Sequence, residues 1–450
     1  MAQAVFESHP FIFDTERWFM LGSLSGHGTP RCDGPAAATS LRRLLLIASC
    51  LQPLASALLG SSSSGRLEQE RRINNLAQLR RYSFKDFVRH YGRTYEQGTE
   101  EWDLREKVFY NRMQKVIAFQ AGPPKTWSMG VTKFMDYTDP EFKALLGYRG
   151  RRKTVPHSTL LSMDRRGRQA PMPKMVNTLQ TSSKLALIVR DQGGCGSCWA
   201  EAAVAVLEAH MENNKTLMGS LKGRTKSFGK KVKLPTLSTQ TVVSCAPNPR
   251  HCGGTGGCGG STAELAYKFV KEQGIPLALT WPYSSFSGQT PDCRDGVFDQ
   301  VVIGIGGYAV LPANQLDPLK QALLDTNGPI VVTVDATEWA HYTGGVMSDG
   351  PDGDWTINHA VVLVGFKDAD VEKQESGYWV VKNSWGESWG ENGYIRVEMK
   401  VNEGEHCGWD YSPQEGIACE GDPEKAWVCG TCGILYDSVY PWGLHLVKGA

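Results

Sequence analysis

Three short stretches of the chain carry side chains suited to breaking an acyl bond. Gln192 to Trp199 reads Gln-Gly-Gly-Cys-Gly-Ser-Cys-Trp, Asn358 to Ala360 reads Asn-His-Ala, and Asn383 to Gly386 reads Asn-Ser-Trp-Gly. Together they supply a thiol, an imidazole, a carboxamide and an oxyanion donor, the parts of a cysteine-nucleophile hydrolase. A free thiol with a pKa of about 8.5 is only a few per cent ionised at neutral pH, so Cys198 needs help. The apolar run from Ala200 to Met211 reads as a buried helix. That puts Cys198 at a helix N-terminus, where the dipole and unpaired N–H groups favour an anion. An imidazolium at His359 favours the thiolate further, protonates the leaving amine and then activates water against the thioester. Each piece alone has a plainer reading. His359 leads into an apolar run, as a packed core histidine would, and Asn383 could cap a turn. The combination argues for chemistry.

In these residues the chain resembles the papain family of cysteine peptidases, in its cathepsin L-like branch. Gln192, Cys198, His359 and Asn383 follow the family's order, and Asn383 to Arg396 (NSWGESWGENGYIR) follows its pattern almost residue for residue. The resemblance runs from about Phe84 to Pro441, with insertions. It implies that Cys198 is the nucleophile and that Cys195, the rival, is a disulfide cysteine paired with Cys258, as Cys245 is with Cys293. It implies that Asn383 orients His359, that Trp385 covers that hydrogen bond, and that Gln192 and the Cys198 N–H form the oxyanion hole. Gly259, Gly260 and Ser261 would pair with the substrate backbone, with Ser261 standing where the family has a second glycine. Trp389 would wall the leaving-group side. A gapless match of Cys432 to Pro441 puts Asp437 at the floor of the second-position pocket. His251 and His341 read as loop histidines.

The elements that must position these groups divide the 450 residues into several units. Residues 1–40 read as a leader from an upstream start. Residues 41–60 (two arginines, an apolar run, then Ala55-Ser56-Ala57) read as a secretory signal. Residues 72–150 are helical and charged and resemble, imperfectly, the family's inhibitory propeptide. Its Gly130 to Asp136 motif has Thr132 in place of Asn, and Asp136, Glu101 and Glu106 are expected to hold acid-sensitive salt bridges. Residues 151–170 are a basic linker suited to cleavage. Residues 171–450 are the peptidase domain, with a Cys-rich insertion near 400–430. Lys222 to Lys233 reads as a solvated loop. The β-branched runs Ile330–Val334, Ala360–Val364, Tyr378–Val381 and Tyr394–Val397 read as strands. The fold class is therefore α+β. The resemblance implies two subdomains, a helical half and a β-barrel-like half, with an active-site cleft between them.

A formal net charge of +1 gives no argument for nucleic acid as a partner. Ten of the twelve cysteines lie beyond residue 190, which suggests an oxidising compartment, secreted or lysosome- or vacuole-like. Cys252, Cys407, Cys419, Cys429 and Cys432 remain, an odd number. Cys429-Gly-Thr-Cys432 has the spacing of a zinc half-site, but disulfides with one thiol left over are favoured. No metal or cofactor is expected. The expected partners are protein or peptide substrates and the chain's own propeptide, on a monomer. The function so read is a cysteine endopeptidase made as an autoinhibited zymogen. A peptide-binding inactive homologue would not need all four catalytic side chains, and a transglutaminase-like transferase would usually use Asp as the third member. Endo- versus exopeptidase preference stays open, and no insertion that would seize a peptide terminus is recognisable.

Overall fold

The computed structural model describes residues 73–147, 172–179, 183–227, 234–299, 302–350, 354–370, 372–400, 404, 406–416 and 418–447. The leader, signal and linker segments read from the sequence lie outside them. The described chain from Asn74 onward clusters as one compact unit.

The N-terminal part is built on α1 (Leu76–Leu79), α2 (Phe84–His90), α3 (Glu100–Ala121) and α4 (Asp139–Leu145). Helices α2 and α4 start with reciprocal capping boxes, Ser83 with Asp86 and Thr138 with Glu141. Phe84, Phe87, Trp102 and Phe109 form the aromatic contact of α2 with α3. Buried Asp136 accepts from Arg93 and from Tyr95 at 2.8 Å, while Glu101 and Glu141 both pair with Arg105. These acidic residues brace the segment itself and make no ion pair with the peptidase body. Two ion pairs among the described residues do cross to it, Lys133 with Asp191 at 2.7 Å and Lys125 with Asp349 at 2.9 Å. A strand absent from the sequence reading, β1 (Trp127–Met129), pairs antiparallel with β7 (Tyr342–Met347) of the peptidase body. It covers a sheet edge that would otherwise be free.

The peptidase body opens with β2 (Met175–Asn177), α5 (Cys198–Asn213), α6 (Lys215–Ser227), α7 (Thr239–Cys245) and α8 (Ala263–Gln273). Helix α6 corrects the loop expected from Lys222. Asn214 caps it through the Leu217 N–H, and Leu217 and Leu221, one turn apart, are buried. The remainder supplies β3 (Ile275–Pro276), β4 (Val302–Gly304), β5 (Gly307–Val310), α9 (Leu316–Thr326), β6 (Ile330–Val334), β7 (Tyr342–Met347) and β8 (His359–Lys367). Then follow β9 (Gly377–Lys382), β10 (Tyr394–Met399), β11 (Cys407–Asp410), β12 (Ala426–Cys429), β13 (Ser438–Trp442) and β14 (His445–Leu446). The four β-branched runs fall in β6, β8, β9 and β10.

The main sheet has the order β1-β7-β10-β9-β8-β6-β13-β5, with β2 added against β8. All of its pairs are antiparallel except β10 with β7. The path runs from β1 to β5 without closing, so the second half is an open sheet rather than a barrel. Its core gathers Trp339, Trp379, Trp385, Trp389, Ile395 and Val397 with Phe134 and Phe142 of the N-terminal segment.

Four disulfides cross-link the described residues: Cys195–Cys258, Cys245–Cys293, Cys252–Cys419 and Cys407–Cys429. Cys198 and Cys432 are free. Cys429 is thus spent on Cys407 across the β11–β12 hairpin, and no group of metal-binding side chains occurs among the described residues.

Candidate active site

Cys198 is the first residue of α5 and is fully buried. Its sulfur faces backbone N–H groups of Cys198, Trp199, Gly147 and Ala360. Ala360 adjoins His359, the first residue of β8. The His359 Nε2–H donates to Asn383 Oδ1 at 2.8 Å, and that oxygen also accepts from the Ser384 N–H. His359 Nδ1 has no hydrogen-bond partner among the described residues, which leaves it for the thiol. Trp385 stacks on the imidazole with centroids 4.8 Å apart and shields the His359–Asn383 bond from water. Trp389 lies one layer behind, fully buried, donating its indole N–H to the Trp339 carbonyl.

Burial pushes the Cys198 thiol up to about 11 and the His359 imidazole down to about 4. Backbone N–H groups oppose the first shift and Asn383 the second, but both lose to desolvation. The pair is therefore neutral in this state, not the thiolate–imidazolium expected from the helix N-terminus alone. The N-terminal segment supplies the burial. The Leu145 carbonyl accepts from Gln192 Nε2 at 2.8 Å, and the Gly147 carbonyl accepts from the Ser261 N–H at 3.2 Å. Gln192 is fixed by Ser384, whose hydroxyl donates to its Oε1 at 2.7 Å. A Cβ on Gly147 would fall 1.9 Å from the Gly196 carbonyl oxygen, so the segment lies flush on the cleft floor. Phe134 and Phe142 pack edge-on against Trp385.

The sequence-predicted residues separate into three groups. Gln192, Cys198, His359, Asn383 and Trp385 converge. Gly260 and Ser261 lie against Gly147, whereas Gly259, one residue back, packs on Thr255. Asp437 precedes β13 and faces Glu264 in the first turn of α8, which follows Ser261 directly. Burial, and next the carboxylate of Glu264, hold the Asp437 carboxyl well above the usual carboxylate range. Of the two loop histidines, His251 contacts Glu420 at 2.6 Å, while His341 is buried against Arg112 of α3. Sequence reading missed Glu201, one turn into α5. It is buried against Arg190 and Thr239, and burial raises it to about 7. Its signal was an acid early in a strongly apolar helix, with Glu208, also buried, two turns further on.

This geometry has known counterparts. Residues 172–417 match the family model described as papain family cysteine protease, and residues 84–142 match that of the cathepsin propeptide inhibitor domain. The chain belongs to the papain family of cysteine proteases. It is 31% identical over 318 residues to a senescence-specific cysteine protease of Oryza sativa subsp. japonica, covering 70% of this chain and 83% of that protein. It is 29% identical over 321 residues to fruit bromelain of Ananas comosus, covering 71% and 81%. Among solved structures, a recombinant stem bromelain precursor superposes with a TM-score of 0.55 at 26% identity, covering 80% of this chain and 97% of that one. Digestive procathepsin L 3 of Tenebrio molitor larval midgut superposes equally well at 24% identity, a likeness of fold. The chain is thus a cysteine peptidase, a hydrolase carrying an inhibitory propeptide domain as a zymogen does, and its partners include peptide substrates and that propeptide.

Proposed function

We propose that residues 72–150 hold the enzyme inactive by laying their own backbone in the cleft, and that catalysis begins when they leave. The observation that carries this reading is the Leu145 carbonyl on Gln192 Nε2, where the carbonyl of a scissile bond would sit. With the segment gone, water and the helix dipole reach Cys198, and the neutral pair becomes thiolate and imidazolium. The thiolate adds to the scissile carbonyl. Gln192 Nε2 and the Cys198 N–H take the oxyanion, a contribution of roughly 2.7–4 kcal/mol per donor. His359 Nδ1 gives its proton to the leaving amine and then draws one from water as the thioester hydrolyses. Asn383 holds the ring through Nε2 during both transfers. Trp385 walls the leaving-group side, in place of the deeper Trp389. Asp437 and Glu264 together end the second-position pocket. The enzyme works as a monomer, in a secreted or lysosome- or vacuole-like setting; the four disulfides among the described residues support the oxidising character of that setting.

The test is labelling by an epoxysuccinyl inhibitor followed by turnover of a dipeptidyl-coumarin substrate. Labelling restricted to Cys198, with loss of turnover, is expected. Turnover that survives full labelling of Cys198 overturns the assignment.

A further inference from the structure

The Cys-rich insertion has anchors on both halves of the peptidase body. On one wall, Asp410 at the end of β11 accepts from the Ile357 N–H at 3.1 Å, two residues before His359. Gly416 then lies so close over Ile357 that a Cβ there would fall 1.9 Å from the Ile357 carbonyl oxygen. Two residues further on, the Ala418 carbonyl accepts from the Gly253 N–H at 3.1 Å. Gly253 belongs to the opposite wall: a Cβ on Gly260 would fall 2.3 Å from both the Gly253 and the Gly147 carbonyl oxygens. The insertion is fastened at that wall by the Cys252–Cys419 disulfide, by the Glu420 N–H to the Arg250 carbonyl at 2.8 Å, and by His251 to Glu420. At its other end the Cys407–Cys429 bridge locks the hairpin from which it springs.

We infer that residues 411–416 and 418–420, held by the Cys252–Cys419 bridge, form a covalent strap over the amino-side end of the cleft, which stops a substrate shortly beyond the residue paired with Ser261. This rests on the peptidase reading of the site. The leaving-group side lies toward Trp385, so the strap bounds the opposite direction. Chain in the cleft pairs with Ser261, and the strap anchor at Gly253 touches Gly260, the next residue back. An extended residue advances about 3.3 Å, so a strap anchored beside the residue next to Ser261 leaves room for only a short stretch of substrate on the amino side of Cys198, which we set at about two residues. The zymogen's product therefore favours trimming short fragments from the amino ends of peptides over cutting deep within them. No new chemistry is needed: Cys198 and His359 act as before, on substrates selected by length.

The experiment uses enzyme released from the full-length zymogen and a ladder of free-amine coumarin peptides. All share the same two residues before the reporter and carry none, one, two or four more on the amino side. The first added residue is expected to lower kcat/KM at least about tenfold, the scale on which a pocket rejects a group it cannot hold. In Cys252→Ser/Cys419→Ser the longer members should recover to within about threefold of the shortest. Equal rates along the wild-type ladder, or a double variant with the wild-type pattern, overturn the strap. Should the double variant fail to fold, mass spectrometry of a wild-type digest of a free twelve-residue peptide decides. Successive loss of residue pairs from the amino end supports the strap, and dominant internal cuts refute it. Epoxysuccinyl labelling of Cys198 in the same preparation separates this from the reading beneath it: an unlabelled Cys198 sinks the peptidase mechanism, whereas a labelled enzyme with a flat ladder sinks only the strap.

Discussion

Gly147→Ala should unlock the zymogen. The added Cβ would stand 1.9 Å from the Gly196 carbonyl oxygen and 2.4 Å from its carbon, against 3.4 Å for an ordinary contact. Those are backbone atoms at the cleft floor and cannot swing aside. Gly147 does not have a left-handed φ, so alanine is conformationally acceptable and the effect is purely steric. The segment must lift by more than an ångström, which strains or breaks the Gly147–Ser261 and Leu145–Gln192 hydrogen bonds. Overpacking costs about 1–3 kcal/mol. The two bonds add about 0.5–1.5 kcal/mol each. The sum, about 2–6 kcal/mol, weakens seating of this part of the segment by roughly 30-fold to 10⁴-fold. The readout is the rate at which an epoxysuccinyl reagent labels Cys198 in intact zymogen at pH 7. Wild type should label very slowly and Gly147→Ala at least about tenfold faster, with the processed enzymes identical because the residue has been removed. A variant zymogen protected as well as wild type would refute the argument that the cleft is sealed by backbone contact at this point.

Other outcomes can be checked alongside. Cys198→Ala should abolish peptide hydrolysis while thermal unfolding stays at or above wild type, His359→Ala should lose nearly as much, and Asn383→Ala should lose less because it orients rather than reacts; equal losses in kcat/KM contradict that ranking. His341, held down to about 3 by burial and then by Arg112 and Lys115, prefers to stay neutral beneath the propeptide. A freed histidine titrates near about 6.5, so docking is at full strength above that pH and weakens by up to about tenfold per unit as pH falls toward 3. Inhibition in trans by the isolated segment should follow that slope, and His341→Gln should flatten it; an unchanged slope rules out His341 as the sensor. Asp437→Ala should lower the ratio of Arg-Arg to Phe-Arg cleavage, because a guanidinium entering the pocket would be received by the Asp437 carboxyl through a charge-assisted hydrogen bond; an unchanged ratio removes Asp437 from the pocket.

The convergence of Gln192, Cys198, His359 and Asn383, the residues proposed as catalytic, was legible because their signal is local: each sits in a short motif whose residue types are unusual together. The strands β6, β8, β9 and β10 were legible for a similar reason, being β-branched runs bounded by turn residues. What escaped depends on partners far along the chain. Strand β1 is three residues with no periodicity, and it exists because β7 offers an edge more than 200 residues away. Helix α6 was hidden by its Lys and Arg content, although Leu217 and Leu221 already marked an inward face. Glu201 looked like the polar side of a helix until Arg190 and Thr239 closed over it. The expected acid-sensitive bridges of Asp136 and Glu101 turned inward because the arginines nearest them belong to the same segment. The pairing of Cys252 with Cys419 spans 167 residues, and nothing in either neighbourhood names the other.

That last bridge has a practical consequence. A thiol nucleophile is customarily kept active with dithiothreitol or cysteine, and the same exchange chemistry attacks disulfides. Cys419 is half-buried, so a reductant can reach the bond that fastens the strap. The enzyme as handled at the bench and the enzyme in an oxidising compartment would then differ in substrate range while sharing one nucleophile. Activity measured over a titration of reductant would rise twice, first on short substrates as Cys198 is freed, and later on long ones as the strap opens.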